Sequence, residues 1–328
     1  MRSTVHDTTR PPMSGVLVAG VTALVSGVSV FVNAYGLRAV SSPAVYTTAK
    51  NLVATVALSL LAVACWRGLL GSGAASRFAT PVGNDRPSLR VRWRGERPWA
   101  RWVGLAYVGV IGGGLAFVLF FDGLAQSEPA AAAFWRDTLV IWVAIFALGT
   151  LRERIRWWNV AAIALLIAGE ITVTGGVGQL AANHGELLVL SSSVLWAIEV
   201  IVAKALLRDV APAAISVVRM GVGAVTLLGY LAATGNVSAL VALSASQWRW
   251  ALWCGLLLAA YVATWMTALS RARALDVTSV LVASAPITWL LQVAAGTSTP
   301  AASSLGLVLI GAGGCLVAVA AHRRASVA

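Results

Sequence analysis

Apolar residues fill this chain in runs separated by short polar or glycine-rich breaks, and most runs reach the roughly 20 residues that a helix needs to cross a ~30 Å hydrocarbon core. Ten such runs predict ten membrane-spanning helices, near 14–35, 43–66, 102–123, 130–150, 157–175, 186–207, 212–233, 249–269, 275–296 and 303–321. Between them only one connection is long, at 67–101, and no soluble domain fits outside the runs. Composition agrees: 59% of residues are hydrophobic and 11% charged, with a mean hydropathy of +0.83. That leaves too little polar surface to coat a soluble globule, so the chain reads as an all-α polytopic membrane protein.

The net charge of +12 would suit nucleic acid if it were pooled. It alternates between loops instead. With ten spans, one face carries Arg2, Arg10, the eight arginines from Arg67 to Arg101, Arg152, Arg154, Arg156, Arg208, Arg271, Arg273, Arg323 and Arg324, whereas the other carries only Arg38 and Arg249. By the positive-inside rule both termini are expected in the cytoplasm. Trp66, Trp102, Trp157, Trp158, Trp248 and Trp250 fall at span ends, where interfacial anchors belong. The first run follows a short basic tail but lacks a small-x-small cleavage site, so it is expected to be retained as a span. Cys65, Cys254 and Cys315 form neither a metal spacing nor a disulfide framework. The Arg-, Gly- and Ser-rich loop reads as a solvated cytoplasmic linker, with contact to anionic lipid headgroups as its alternative.

An internal echo organises the runs. Pro43, six residues, then Lys50 returns as Pro212, six residues, then Arg219. Gly15–Arg38 aligns with Gly185–Arg208 at an offset of 170, and Leu124, Ile141 and Gly169 align with Leu269, Pro286 and Gly314 at 145. The 67–101 loop accounts for the change of offset. Two five-helix repeats are thus expected, 14–175 and 184–321, flanked by tails at 1–13 and 322–328. An odd number of spans inverts the second copy, the arrangement of many secondary transporters.

The remaining four of the twenty-four cations lie within spans: Lys50, Arg136, Lys204 and Arg219. Ionisable residues at membrane depth are costly and mark solute paths or paired networks. Inversion places Lys50 and Arg219 about 10 Å deep from opposite faces, lining a shared cavity or pairing with helix ends. Arg136 and Asp137 are adjacent, hence about 100° apart around a helix, and are expected to find separate partners across the bundle. Lys50 is the expected partner of Asp137, leaving Arg136 as an anion clamp; Arg219 is the expected partner of Glu199. Lys204 and Glu199, five residues apart, do not share a helix face. Asp137 and Glu199 are the candidate proton carriers.

Other features have plainer readings. Asp122, Glu128, Glu170 and Asp276 fall near span ends, as helix caps and dipole partners do. Trp135, Trp196, Trp265 and Trp289 are too deep for an interfacial belt and serve packing, with Trp196 also a candidate solute contact. The small-residue runs Gly109-x-x-x-Gly113 and Gly311–Gly314 allow close helix approach, within the bundle or between copies.

Ten spans in two inverted halves, with Pro43–Lys50 set against Pro212–Arg219, resemble the drug/metabolite transporter superfamily and in particular its EamA-type exporters. The resemblance spans about 14–321. It implies a central cavity lined by the first four helices of each half, which would carry Lys50, Arg136, Asp137, Glu199 and Arg219 but not Glu170. The family's proline and glutamate in the fourth helix of a half are divided here, with Glu153 beside Ile141 in one half and Pro286 beside Ser298 in the other. The Arg136–Asp137 pair has no charged counterpart, since Leu281 and Val282 occupy the matching positions.

The expected function is secondary transport, by resemblance export, of a small polar or amphipathic metabolite, amino-acid-like or drug-like, through alternating access. Lys50, Arg136, Asp137, Trp196, Glu199 and Arg219 are its candidate solute-binding residues. Four cations against three acids in the spans favour a carboxylate or other anionic solute. No nucleotide-binding loop appears, and no metal, cofactor or nucleic acid is implied. The expected partners are the solute and membrane lipids, with protons as a candidate coupling ion, in a cell (plasma or inner) membrane, with monomer and homodimer both open. The alternatives are a non-transporting scaffold or sensor and an intramembrane enzyme. The latter lacks a nucleophile–base pair, and His6, His184 and His322 lie in tails or at a span end.

Overall fold

A helix begins most readily where a side chain accepts its first free amides or where proline needs none. In the computed structural model, residues 13–40, 42–69, 78–80, 98–127, 135–151, 157–173, 183–296, 305–306, 308–313, 315–316 and 319 are described. The tails, most of the basic loop, Glu128, Glu153, Ser298 and much of the tenth run lie outside the described residues. Helix α1 spans Met13–Ala39 and α2 spans Pro43–Trp66, with Pro43 in the first turn and the Ser42 hydroxyl accepting the Val45 amide. The third run is continuous from α3 (Pro98–Ala106) through a π-helical stretch, Tyr107–Leu115, into α4 (Ala116–Ala125). Then come α5 (Leu139–Phe146, wound on as π-helix over Ala147–Leu151) and α6 (Trp157–Val173).

The second half repeats these starts with different chemistry. Helix α7 (His184–Leu206) opens on a capping box in which Asn183 and Glu186 satisfy each other's amides. Helix α8 (Pro212–Ala233) relies on Pro212 alone, because Ala211 offers no side-chain cap. A short α9 (Val237–Val241) leads to α10 (Ala245–Arg271), capped by Ser244 and Gln247. The ninth run is broken into α11 (Ala274–Leu281) and α12 (Ser284–Ala294). Pro286 explains the break: it has no N–H to give Val282, and its ring crowds that carbonyl. Among the described residues seven helical stretches are long and apolar enough to cross a membrane, α11 and α12 counting as one over Ala274–Ala294, and none of these residues is in a strand.

Helices pack mainly across the two halves. Helix α1 lies along α10 and touches α11 and α12; α4 lies along α7, which also meets α5; α2 runs between α8 and α10. The π-helical stretch lies along α8, where Gly109 faces Val222 and Gly113 faces the Arg219 carbonyl, so this glycine spacing serves contact inside the bundle. Two contacts at helix ends are close counterparts. Gly15 faces Arg271 and Ala272, while Gly185 faces Gln126 and Ser127; the partners differ by 170 and 145, the two offsets of the sequence echo. At the opposite helix ends Gln247 Nε2 donates to the Ala39 carbonyl at 3.0 Å, and Arg101 pairs with Asp209 at 3.8 Å. Large apolar side chains such as Leu17, Leu60, Ile145, Val225 and Trp253 stay exposed on the bundle's outside, as lipid contact requires.

Candidate functional site

The start of α2 is buried on every side, from Val45 to Asn51. Lys50 is 5% exposed, and its Nζ donates to Asn33 Oδ1 on α1 at 3.1 Å. The same oxygen accepts the Tyr46 hydroxyl at 2.8 Å, while Asn33 Nδ2 is held by the Ser29 carbonyl at 2.7 Å. That anchoring leaves the Asn33 oxygen aimed at the lysine. Two aromatic faces lie against it, Phe121 with its centroid 4.7 Å from Nζ and Tyr46 at 5.2 Å. Cation–π contact of this kind is worth about 0.5–2 kcal/mol, far short of a counter-ion in an apolar medium. Among the described residues no carboxylate pairs with Lys50.

Arg219, at the equivalent place on α8, is answered completely. Its Nε and Nη2 engage both oxygens of Glu199 on α7, the second at 3.0 Å, and Nη2 also reaches the Gly112 carbonyl at 3.3 Å. Both side chains are buried. A bidentate guanidinium–carboxylate pair is the geometry in which two buried charges best offset their desolvation. The π-helical stretch matters here, since Gly112 O also accepts Trp196 Nε1 at 3.0 Å. A side chain at 112 would run into the Glu199 carboxylate, so only glycine admits this approach.

An aromatic ladder joins the two cations. Arg219 Cζ lies 5.7 Å from the Phe117 centroid, Phe117 stacks on Phe121 one helical turn along α4 at 6.4 Å, and Phe121 covers Lys50. Trp196 packs edge-on against Phe117 at 5.3 Å and beside Phe120 at 5.4 Å. The site is therefore a strip of rings with a neutralised cation at one end and an uncompensated one at the other.

The other intramembrane charges correct two expectations. Arg136 donates from Nε and Nη2 to Asp137 Oδ1 at 2.9 and 2.7 Å, so the neighbours do pair with each other. The expectation treated side chains as short radial vectors; arginine is long enough to reach round 100°, and a turn at Thr138 interrupts the helix beside the pair. The expected Lys50–Asp137 pair is absent among the described contacts. Lys204, below the site, donates to the carbonyls of Leu269 and Ala272, the latter at 2.6 Å, and closes the end of α10. Trp135 Nε1 reaches Glu186 Oε2 at 3.3 Å. Asp122 accepts the Tyr230 hydroxyl and Asp276 the Asn159 amide, each at 3.3 Å.

A family model described as the EamA-like transporter family matches residues 13–175 and again 183–320. The chain belongs to that family. It is thus a multi-pass membrane protein of the drug/metabolite transporter superfamily. No curated protein matches the sequence. A solved crystal structure is similar in fold, with 18% identity, a TM-score of 0.67 and coverage of 94% of this chain and 98% of the other.

In this EamA-like chain, Lys50, Trp196, Glu199 and Arg219 are brought to one seam, whereas Arg136 and Asp137 form their own pair on the segment leading into α5. Sequence reasoning missed Asn33, Tyr46, Gly112, Phe117 and Phe121. An asparagine inside an apolar run was the available signal for Asn33; nothing local marks the phenylalanines as more than packing. Thr47 and Asn51 were missed as well. Both are fully buried, and the Thr47 hydroxyl and both polar atoms of the Asn51 amide have no hydrogen-bond partner among the described residues.

Proposed function

We propose that this protein is a secondary active transporter that exports a small polar or amphipathic metabolite bearing an anionic group, by alternating access of two inverted five-helix halves. Three observations support the architecture. The family model matches each half, helices pack across the halves in mutually equivalent pairs, and the Gly15–Ala272 and Gly185–Ser127 contacts exchange under the echo offsets. Ten spans with both termini cytoplasmic in a plasma or inner membrane follow from the same reading.

The observation that carries the solute assignment is Lys50, a buried cation facing aromatic rings with no carboxylate to meet it among the described residues. A bound anion supplies the missing charge. Arg219 and Arg136 already have theirs, so Lys50 provides the attraction while the Phe117–Phe121–Trp196 strip holds the solute's less polar part. Asp137 and Glu199 are the proposed proton carriers: each is held by an arginine, and a proton on either would weaken that pair and loosen the packing around it.

Uptake of labelled carboxylates into proteoliposomes tests the reading. A transporter accumulates at least one of them, and Lys50→Gln abolishes that flux while Trp253→Leu, on the lipid face, leaves it intact. A scaffold or sensor gives no flux with any solute.

A further inference from the structure

The face of α2 that carries Lys50 holds more unanswered polarity than its charge. At 100° per residue, Thr47 lies 60° and Asn51 100° around the helix from Lys50, so the three occupy a single arc. Thr47 and Asn51 are 1% and 0% exposed, and their hydroxyl and amide are the unpartnered atoms noted above. Buried polar groups in folded proteins are almost always hydrogen-bonded, and an orphaned amide with both ends idle calls for an explanation. Chain entropy and packing supply none here, because leucine would fill the same space with no polar atom to desolvate. The corresponding positions of the other half show no such surplus. Ser216 is satisfied by the Pro212 carbonyl, and Met220 is apolar. Idle donors and acceptors therefore gather on the first-half helix, beside the cation that lacks a counter-ion.

We infer that Thr47 and Asn51 are specificity-determining residues that recognise, on a carboxylate held by Lys50, a nearby uncharged group able both to donate and to accept hydrogen bonds: a hydroxyl or a primary amide. Donors and acceptors are idle together, which excludes a bare cation, since a metal ion would leave Asn51 Nδ2 unanswered. The class is narrower than the anionic metabolite proposed above and rests on that reading of Lys50. Plain carboxylates and bulky apolar drugs satisfy the lysine or the rings but not these atoms; a small hydroxy- or amide-carboxylate satisfies all three residues. Such a site also rejects plain analogues strongly, because they leave buried polar groups unpaired.

Counterflow in proteoliposomes with succinamate, 3-hydroxybutyrate, butyrate and pentanoate as probes separates the possibilities. The parent protein is expected to prefer the amide or hydroxyl compound over the plain acid of similar length by about tenfold or more. Asn51→Leu and Thr47→Val should reduce that preference to about twofold while plain carboxylates are still carried, and Lys50→Gln should lose both. Thr47→Val is nearly isosteric and keeps the test open if Asn51→Leu does not insert. A preference unchanged in both variants, with only the melting temperature altered, would mean that these atoms bind structural water and would overturn the inference while leaving Lys50 in place. Indifference of all fluxes to Lys50→Gln would instead remove the proposed function beneath it. A parent protein that does not distinguish the probes also overturns the inference.

Discussion

Lys50 and Arg219 each lie seven residues past the proline that opens their helix, yet one lives with an asparagine and two rings and the other with a carboxylate. The difference teaches where function resides in a duplicated bundle. A cation bound on both prongs by Glu199 ties α7 to α8 and reaches the first half at the Gly112 carbonyl; it has little left to give a solute. A cation that meets Asn33 and aromatic faces in place of a carboxylate retains most of its attraction. The proline-to-cation spacing is shared by the two helices, and the company of the cation is not.

Substitutions at the two positions should therefore act in opposite ways. Arg219→Met strands Glu199 in the bundle and is expected to lower stability by about 3–5 kcal/mol, whereas Glu199→Leu with Arg219→Met together should recover most of it. Lys50→Met removes a buried charge that no described carboxylate meets and should leave the unfolding temperature equal or higher, with transport lost. Unfolding in detergent at constant lipid content measures both, and equal losses at the two positions would erase the contrast. Gly112→Ala drives a methyl group into the Glu199 carboxylate and should cost about 1–3 kcal/mol, with no effect on any contact of Lys50.

Smaller changes sharpen the comparison. Asn33→Ala takes the shared acceptor from both Lys50 and Tyr46, and should destabilise by about 1–3 kcal/mol while weakening solute binding, which a thermal-shift titration would register. At the helix heads, Ser42→Ala should remove about 0.5–1 kcal/mol from the first half, and Ala211→Ser should add a similar amount to the second, where no side-chain cap exists.

Much of the architecture was legible because lipid imposes a strict length on apolar runs, and the seven long helices begin and end within a few residues of the runs that announced them. The Glu199–Arg219 pair was legible for a related reason: on neighbouring helices, depth alone made them partners. Depth failed for Asp137, where the reach of arginine and the turn at Thr138 decided the pairing. The π-helical stretch at Tyr107–Leu115 was invisible, because a glycine-rich apolar run reads the same in either winding. Uncharged polar residues were undervalued: Asn33, Thr47 and Asn51 carry no charge to draw attention, yet Asn33 holds Lys50 and the other two share its arc of α2.

The central claim is that the charge at position 50 is available to the solute and the charge at 219 is not. Its most direct test is the affinity of a transported carboxylate for the Lys50→Met protein relative to the parent, measured by calorimetry on samples with matched unfolding temperatures. A loss of about hundredfold is expected, the size of a truncated buried charge contact. An affinity within about twofold of the parent, less than 0.5 kcal/mol, would contradict the account.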